Sequence, residues 1–341
     1  MIELLISMII AFSVTFWITP AFIRLFKKIG VMGTDQHKKK KPIIPISQGM
    51  PTAVGIIFGL FTFVAISTFI TGNGVNTTIL FASIVSIMMI TAVGFFDDIF
   101  IGKKKEMSRS GTYDYRMGLK QRQKALLILP AAIPLMVINA GHSSMVFPLI
   151  GAVEFGILYP LLIIPIGVLC VANAYNMLGG INGIESGMAL IALTGLGLFT
   201  YMRGSYEASV ISFIAAAGFL GVMHYARTPA KIMAGDSATY LAGALIATAV
   251  IVGNVHKFGI IIFMPWIIEA FIKLKSKFQG TSLGKLTDKG HLKPLRGKTE
   301  SLTHFVMNAG NFTEKQIMII FWLIEAGFVA LAFLFYYTGI I

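Results

Sequence analysis

Residues 77–98, TTILFASIVSIMMITAVGFFDD, decide the structural class of this protein. A long uncharged and mostly apolar run ends in two adjacent carboxylates, Asp97 and Asp98. A helix of about 20 apolar residues crosses the hydrocarbon core of a bilayer. The stretch therefore predicts a membrane-spanning helix, with the two carboxylates at the end where it leaves the membrane.

The rest of the 341-residue chain has the same character. Hydrophobic residues make up 56% of it and charged residues only 13%, whereas about 25% of the residues of a typical soluble domain are charged. Cys170 is the single cysteine, so no internal disulfide can form. These values exclude a disordered chain and a secreted disulfide scaffold, and they predict an all-α, polytopic integral membrane protein.

Ten segments are long and apolar enough to span a bilayer. They are residues 3–26, 50–71, 77–96, 125–141, 155–175, 187–202, 207–224, 237–254, 258–274 and 316–338. We expect one transmembrane domain over residues 1–341, with its active site in the loops on one side. Those loops are residues 27–49, 97–124, 176–187, 225–236 and 275–315.

The basic residues orient this bundle. If the loops after the odd-numbered spans share one side, every Lys and Arg except Arg203 and Lys257 lies there. The positive-inside rule makes that side cytoplasmic and places both termini outside. Topology thus explains the net charge of +13, and no aromatic and basic surface indicates a nucleic-acid partner. The expected location is the cell membrane, or the endoplasmic reticulum membrane in a eukaryote, in contact with membrane lipid.

Asp97 and Asp98 are the first candidates for chemistry. Adjacent carboxylates at a membrane boundary repel each other and lose hydration, so they favour divalent cations or basic partners nearby. The alternative is an interfacial pair that anchors a helix end.

The second candidate is residues 171–187, VANAYNMLGGINGIESG. Asn173 and Asn176 lie three residues apart, on one face of a helix end. Gly179 and Gly180 would end that helix and permit close approach of a ligand. Amide oxygens beside a Gly-rich turn suit a hard cation that carries a phosphate. The alternative is an ordinary Asn/Gly turn.

Two more candidates lie at helix starts. Asp236 opens the eighth span, where it suits an N-cap or a metal-bound phosphate. Lys124 enters the fourth span and would either snorkel or meet the phosphate of a lipid. With the carboxylates and amides above, they predict phosphoryl transfer with Mg²⁺, an ion that takes few protein oxygens and bridges substrate phosphates.

Three motifs, in this order and on these spans, resemble the polyprenyl-phosphate N-acetylhexosamine-1-phosphate transferases of glycosyltransferase family 4. They are GFFDDIF (94–100), NAYNMLGGINGIESG (173–187) and AGDSATYLAG (234–243). The Asn-Gly-x-Glu of residues 182–185 is similar to the archaeal and eukaryotic branch, which uses UDP-N-acetylglucosamine and dolichyl phosphate. The resemblance covers residues 35–294 and implies ten spans with an inward-facing site.

The resemblance also implies roles for particular residues. Asn176 and Asp236 would hold Mg²⁺, for which Mn²⁺ could substitute. Asp97, Asp98 and Lys124 would be the catalytic residues, with Lys124 at the lipid phosphate. The residues expected to bind the substrates are Thr34, Asp35, Gln36, Ile46, Gln48, Asn173, Asn182, Glu185, Gly290, His291, Leu292, Lys293 and Arg296.

Two departures from the family pattern concern the nucleotide sugar. Ile46 replaces the glutamate of the eukaryotic sequence PESQG, and the Arg-His-Arg run of the last inner loop is replaced by Gly290–Leu292 around His291. Lys289, Lys293 or Arg296 would have to supply the missing positive charge.

We therefore predict a membrane transferase that moves a sugar 1-phosphate from UDP-N-acetylglucosamine to polyprenyl or dolichyl phosphate and releases UMP. A homodimer is compatible with this prediction. The same chemistry with another UDP-sugar, as in the muramoyl-pentapeptide transferases, is one alternative. A transporter or flippase is another, although it would place ionisable residues near the bilayer midplane.

Overall fold

A computed structural model describes residues 1–72, 75–99, 102–108, 111–117, 121–147 and 151–340 of the chain. The predicted inner loop 97–124 is therefore described only in part, since residues 100–101, 109–110 and 118–120 lie outside these ranges.

Helices make up most of the described chain. They are α1 (Ile2–Ile29), α2 (Gly49–Ile66), α3 (Thr77–Ile99), α4 (Gln121–Val137), α5 (Ile164–Met177), α6 (Ile184–Met202), α7 (Tyr206–Ala226), α8 (Gly235–Gly253), α9 (His256–Ile262), α10 (Met264–Lys275), α11 (Leu302–Ala309) and α12 (Glu314–Tyr337). A π-helical turn extends α2 through Ser67–Thr71, and another, Tyr159–Ile163, precedes α5.

Eight helical segments within the described residues are long and apolar enough to cross a membrane, which confirms a multi-pass membrane protein. The fourth and ninth predicted spans are not among these eight segments. The fourth corresponds to α4, whose apolar part, Leu126–Val137, is shorter. The ninth was wrong as one continuous helix, because α9 ends at Ile262 and α10 begins at Met264. Pro265 lacks a backbone N–H and is tolerated in the first turn of a helix, so the chain starts a new helix there.

Among the described residues, four antiparallel hairpins accompany the helices, so this part of the chain is mostly rather than wholly α-helical. Their strands are β1 (Met32–Thr34) with β2 (Ile43–Pro45), β3 (Gly102–Ser108) with β4 (Gly111–Met117), β5 (Ser144–Phe147) with β6 (Gly151–Glu154), and β7 (Gly284–Leu286) with β8 (Leu292–Pro294). All four lie between helices and leave the bundle intact.

Helix α8 lies at the centre of the bundle, in contact with α2, α3, α5, α6 and α7. Glycines allow two of these helices to approach its first turn. A Cβ atom on Gly94 of α3 would lie 2.5 Å from the carbonyl oxygen of Asp236. A Cβ on Gly49 of α2 would lie 2.3 Å from the carbonyl carbon of Ser237. Both distances are below any real carbon contact, so these positions require glycine.

Gly94→Ala should therefore destabilise the protein, because its methyl group meets backbone atoms that cannot rotate away. We expect a loss of about 1–3 kcal/mol, measured as a lower Tm of the purified protein in detergent. Gly167→Ala in α5 is the matched control, since a Cβ there meets nothing within 4 Å. Equal Tm values for the two variants would contradict the packing described here.

Candidate functional site

A cavity of about 900 Å³ opens where four connections between helices meet. These are the connections from α1 to α2, from α5 to α6, from α7 to α8, and from α10 towards α11. All four follow odd-numbered predicted spans. The predicted site residues that line the cavity are Thr34, Asp35, Gln36, Ile46, Asn176, Asn182, Glu185, Asp236 and Arg296.

The carboxylate of Asp98 caps the first turn of α8. Its Oδ1 accepts the backbone N–H of Asp236 (2.8 Å), and its Oδ2 accepts that of Ser237 (3.1 Å). The hydroxyl of Ser47 also donates to Oδ2. The sequence had suggested Asp236 itself as the cap, but the first N–H groups of a helix can take their acceptor from another helix. Asp98 is buried and is a structural neighbour of the cavity rather than part of its lining.

Lys124 joins two carboxylates at the edge of the cavity. Its Nζ lies 2.7 Å from Oδ2 of Asp97 and 2.5 Å from Oδ2 of Asp236. These contacts bring together α3, α4 and α8. Because burial of an unpaired carboxylate is costly, the single ammonium stabilises the arrangement, but it balances only one of two negative charges.

Asn176 lies beside this group and supplies an amide oxygen. The hydroxyl of Thr239 donates to Asn176 Oδ1 (2.8 Å), which fixes the side chain at the cavity wall. Asn176 and Asp236 both line the cavity, and their side chains carry an amide oxygen and a carboxylate. A hard divalent cation prefers such oxygens, and it would balance the excess negative charge. The residues present therefore fit a divalent metal.

A second polar group, which we call the Asp35 cluster, consists of Asp35, His37, Lys38, Asn182 and Glu314. Ligand atoms of Asp35, His37 and Glu314 lie within 4.8 Å of one another, a spacing that could hold a metal ion. However, Lys38 already provides a cation there. Its Nζ lies 3.7 Å from Asp35 and makes a close ion pair with Glu314.

His37 is neutral in this cluster. Burial is the main reason that the pKa of His37 falls to about 4; Lys38 lowers it further, whereas Asp35 opposes the shift. Its Nε2 accepts the backbone N–H of Gly284 (3.0 Å), so the ring proton is on Nδ1. The ring thereby ties the connection between α1 and α2 to β7.

A buried ion pair holds the connection between α10 and α11 against the bundle. Glu269 and Lys273 lie one turn apart on α10, with Nζ 3.5 Å from Oε1. Lys273 donates to the carbonyl of Gly280 (3.0 Å) and to Ser282 Oγ (2.9 Å). Glu269 accepts the N–H of Leu302 at the start of α11 (2.6 Å). The loop 279–283 and Lys273 itself therefore form one wall of the cavity.

Six predicted substrate-binding residues do not line the cavity. Gln48 donates to Ser186 Oγ inside the protein, and Asn173 donates to the carbonyl of Leu169 in its own helix. Gly290, His291, Leu292 and Lys293 belong to the β7–β8 hairpin, beside the cavity. Lys293 donates to the carbonyls of Met307 (3.1 Å) and Gly310 (3.0 Å) at the end of α11.

Four residues around the cavity were not predicted from the sequence, namely Lys38, Glu269, Lys273 and Glu314. A signal for the two on α10 was present, because an acid and a lysine four residues apart in an apolar helix form an ion pair. Glu314 opens the last helix and resembles any acidic residue in a first turn. Lys38 is one of four consecutive lysines, and nothing in the sequence distinguishes it from the others.

This chain matches the model of a protein family and is similar to several known proteins. The family model described as Glycosyl transferase family 4 matches residues 80–254. Two proteins named as UDP-N-acetylglucosamine–dolichyl-phosphate N-acetylglucosaminephosphotransferases are each 33% identical to this chain. The one from Sulfolobus acidocaldarius aligns over 98% of this chain and 97% of its own length. The one from Saccharolobus solfataricus aligns over 100% and 98%. A phospho-N-acetylmuramoyl-pentapeptide-transferase of Clostridium botulinum is 28% identical over 77% of this chain and 78% of its own.

Asp98→Asn should weaken the start of α8. The amide keeps the shape of the side chain but replaces one acceptor oxygen by a donor, so one of the three bound donors loses its partner. We expect a loss of about 1–3 kcal/mol, seen as a lower Tm. Asp288→Asn is the matched control, because Asp288 is exposed in the β7–β8 turn. An unchanged Tm for Asp98→Asn would refute the capping role.

Proposed function

Because this chain belongs to glycosyl transferase family 4, we propose that it transfers N-acetylglucosamine 1-phosphate from UDP-N-acetylglucosamine to a polyprenyl phosphate. The polyprenyl phosphate would be dolichyl phosphate, and UMP would leave. Family membership makes the protein a sugar-phosphate transferase; the sugar and the lipid are the proposed part. The names of the two archaeal relatives, aligned over nearly the whole chain, support both.

The observation that carries this proposal is the group formed by Asp97, Lys124 and Asp236 at the edge of a polar cavity. An ammonium held between two carboxylates at the start of an apolar helix suits a phosphate that arrives from the membrane. The cavity behind it has room for a nucleotide sugar, since ligand sites of that kind have volumes of about 300–1,000 Å³. The positively charged residues in its lining are Lys273 and Arg296.

Asn176 and Asp236 are the residues that would hold Mg²⁺. When bound, this ion neutralises the charge of the substrate diphosphate. Lys124 would receive the lipid phosphate, and Asp97 would keep the ammonium in place. For Asp98 we propose positioning of Asp236 rather than contact with phosphate, because its oxygens already accept three hydrogen bonds.

The chemical step proposed is a direct displacement. A lipid phosphate oxygen attacks the β-phosphorus of the UDP-sugar, the bond from that phosphorus to the bridging oxygen breaks, and UMP carries away the electron pair. No strong base is required, because the second pKa of a phosphate monoester is about 6 and the nucleophile is already ionised at neutral pH. The basic loops around the cavity favour its placement on the cytoplasmic side.

Purified protein should release UMP from UDP-N-acetylglucosamine when polyprenyl phosphate and Mg²⁺ are present. EDTA, Asp236→Ala and Lys124→Ala should each lower the rate by at least about 100-fold, since catalysis here consists of positioning and charge neutralisation. Asp288→Ala serves as the exposed control. Release only from UDP-N-acetylmuramoyl-pentapeptide or another donor would change the assigned sugar, and no release from any UDP-sugar would refute the transferase.

The family pattern has an Arg-His-Arg run where this chain has Gly290–Leu292. The same assay can show which residue supplies the positive charge in its place. Arg296 lines the cavity, whereas Lys293 is bonded to helix carbonyls and Lys289 is exposed. Arg296→Ala should raise the KM for the UDP-sugar about 10- to 100-fold, because a charge-assisted hydrogen bond is worth about 1.5–3 kcal/mol. Lys289→Ala should have no effect. The reverse pattern would place the diphosphate on the hairpin instead.

A further inference from the structure

We propose that Glu325 of α12 binds a proton inside the helix bundle, and that loss of this proton lets its carboxylate accept the indole N–H of Trp266. The pair would act as a pH-sensitive switch, because Trp266 lies on α10 and the same helix places Lys273 in the cavity lining. This inference goes beyond the proposed function, since neither residue of the pair lines the cavity or takes part in the transfer reaction.

Glu325 lies in the middle of a membrane-spanning helix. It is close to the centre of α12 (Glu314–Tyr337), about 16 Å from either end. Its side chain is 0% exposed, and neither carboxylate oxygen has a hydrogen-bond partner among the described residues. An ionisable residue at this depth is costly to a membrane protein, so it is a candidate for a functional role.

Trp266 reaches the same depth from the neighbouring helices. The rings of Phe333 in α12 and Phe258 in α9 are in contact, with centroids 5.3 Å apart. From this contact towards the cavity, Glu325 lies about two turns along α12, and Trp266 lies about two turns along α9 and α10. Trp266 is 1% exposed, and its Nε1 has no acceptor in the part of the chain that the structure describes. An unpaired donor and an unpaired acceptor therefore lie at one level of the bundle.

Tyr175 of α5 is a neighbour of both residues. Its ring stacks on that of Trp266, with centroids 4.5 Å apart. It is also close enough to Glu325 to interact electrostatically with that carboxylate. Its own hydroxyl donates to the backbone carbonyl of Glu185 (2.6 Å). The phenol is thus already bonded elsewhere, whereas the indole N–H is an unused donor near Glu325.

The other titratable groups of the surrounding helices have partners of their own or lie further away. Glu185 of α6 accepts a backbone N–H of the turn before it (2.8 Å). On α10, Glu269 and Lys273 form an ion pair with each other. His256 and Lys257 stand at the start of α9, about two turns or more from the level of Trp266.

No basic side chain of the described residues forms an ion pair with Glu325. A buried carboxylate without a partner is strongly unfavourable, because it has lost its hydration and gained nothing in exchange. A bound proton removes this charge. The carboxyl is therefore neutral in the structure described here.

Transfer of the proton to a base in solution would leave a negative charge on Glu325. The N–H of Trp266 could stabilise that charge, since hydrogen bonds to ionised groups are stronger than those between neutral groups. To form this bond, α10 has to shift. It starts a new helix at Met264 and is joined to α9 through Phe263. Helix α10 could then move while α9 stays packed on α12, and Lys273 would move with it.

Infrared spectroscopy detects the proton directly. The full-length protein in detergent should show the band of a protonated carboxyl at neutral pH, and this band should be lost in Glu325→Gln, which keeps the shape of the side chain. Glu154→Gln is the matched control, because Glu154 is exposed. If Glu325→Gln has the same carboxyl bands as the wild type, the inference is overturned.

The Tm of the same two proteins reports the cost of losing the proton. The unfolded chain releases it near about pH 4.3, whereas the native protein keeps it, so rising pH lowers the free energy of unfolding of the wild type relative to Glu325→Gln. Between about pH 5 and pH 9, the Tm of the wild type should fall by at least about 5 °C relative to that of the variant. Parallel Tm curves would overturn the inference.

Tryptophan fluorescence tests the role of Trp266. Raising the pH should shift the emission of the wild type, and the shift should be absent from Glu325→Gln and from Trp266→Phe. Trp17→Phe, at an exposed position, should retain it. No shift in the wild type, or a shift that persists in Trp266→Phe, would overturn the switch. The comparison of Trp266→Phe with the wild type remains decisive if Glu325→Gln does not fold.

Discussion

The cap that Asp98 provides for α8 is the contact on which the site depends. A helix start leaves its first N–H groups without partners in the helix. In this protein, α3 supplies the acceptor, and Gly49 and Gly94 let the backbones come close enough for it to reach. Since the cap comes from another helix, Asp236 can direct its own carboxylate to Lys124 and the cavity. One carboxylate caps the helix, and the other contacts Lys124 and lines the cavity.

Charge balance explains why these residues occur together. The single positive charge of Lys124 cannot neutralise the carboxylates of both Asp97 and Asp236. An isolated buried charge of either sign would be strongly unfavourable. Additional charged partners would therefore balance the charge of Asp97, Lys124 and Asp236. In the proposed reaction these are a divalent cation and two phosphorylated substrates, and their charges compensate one another within a region of low dielectric.

The C-terminal part of the chain forms one wall of the cavity and holds that wall in place. Glu269 and Lys273 hold the loop that forms one wall, and Glu314 contacts the connection between α1 and α2 through Lys38. Lys273 alone of these four lines the cavity. Nucleotide binding is thus expected to respond to substitutions in α10 and α12, which a motif-based description of the family pattern leaves out.

The sequence by itself determined the helical membrane class and the positions of most spans, and it predicted Asn176 and Asp236, which both line the cavity, as residues of one site. Hydropathy is a local property of a segment, and polar residues in apolar segments are few enough to examine singly. Only the tertiary structure decided that Asp98 caps a helix, that the hairpin of His291 lies beside the cavity, and that Asn182 donates to Glu314. Those roles depend on partners 138 residues apart for Asp98 and Asp236 and 132 apart for Asn182 and Glu314. The orientation of a hydrogen-bonded side chain depends on the partner that folding brings next to it. The neighbouring residues in the sequence do not indicate which residue that partner is.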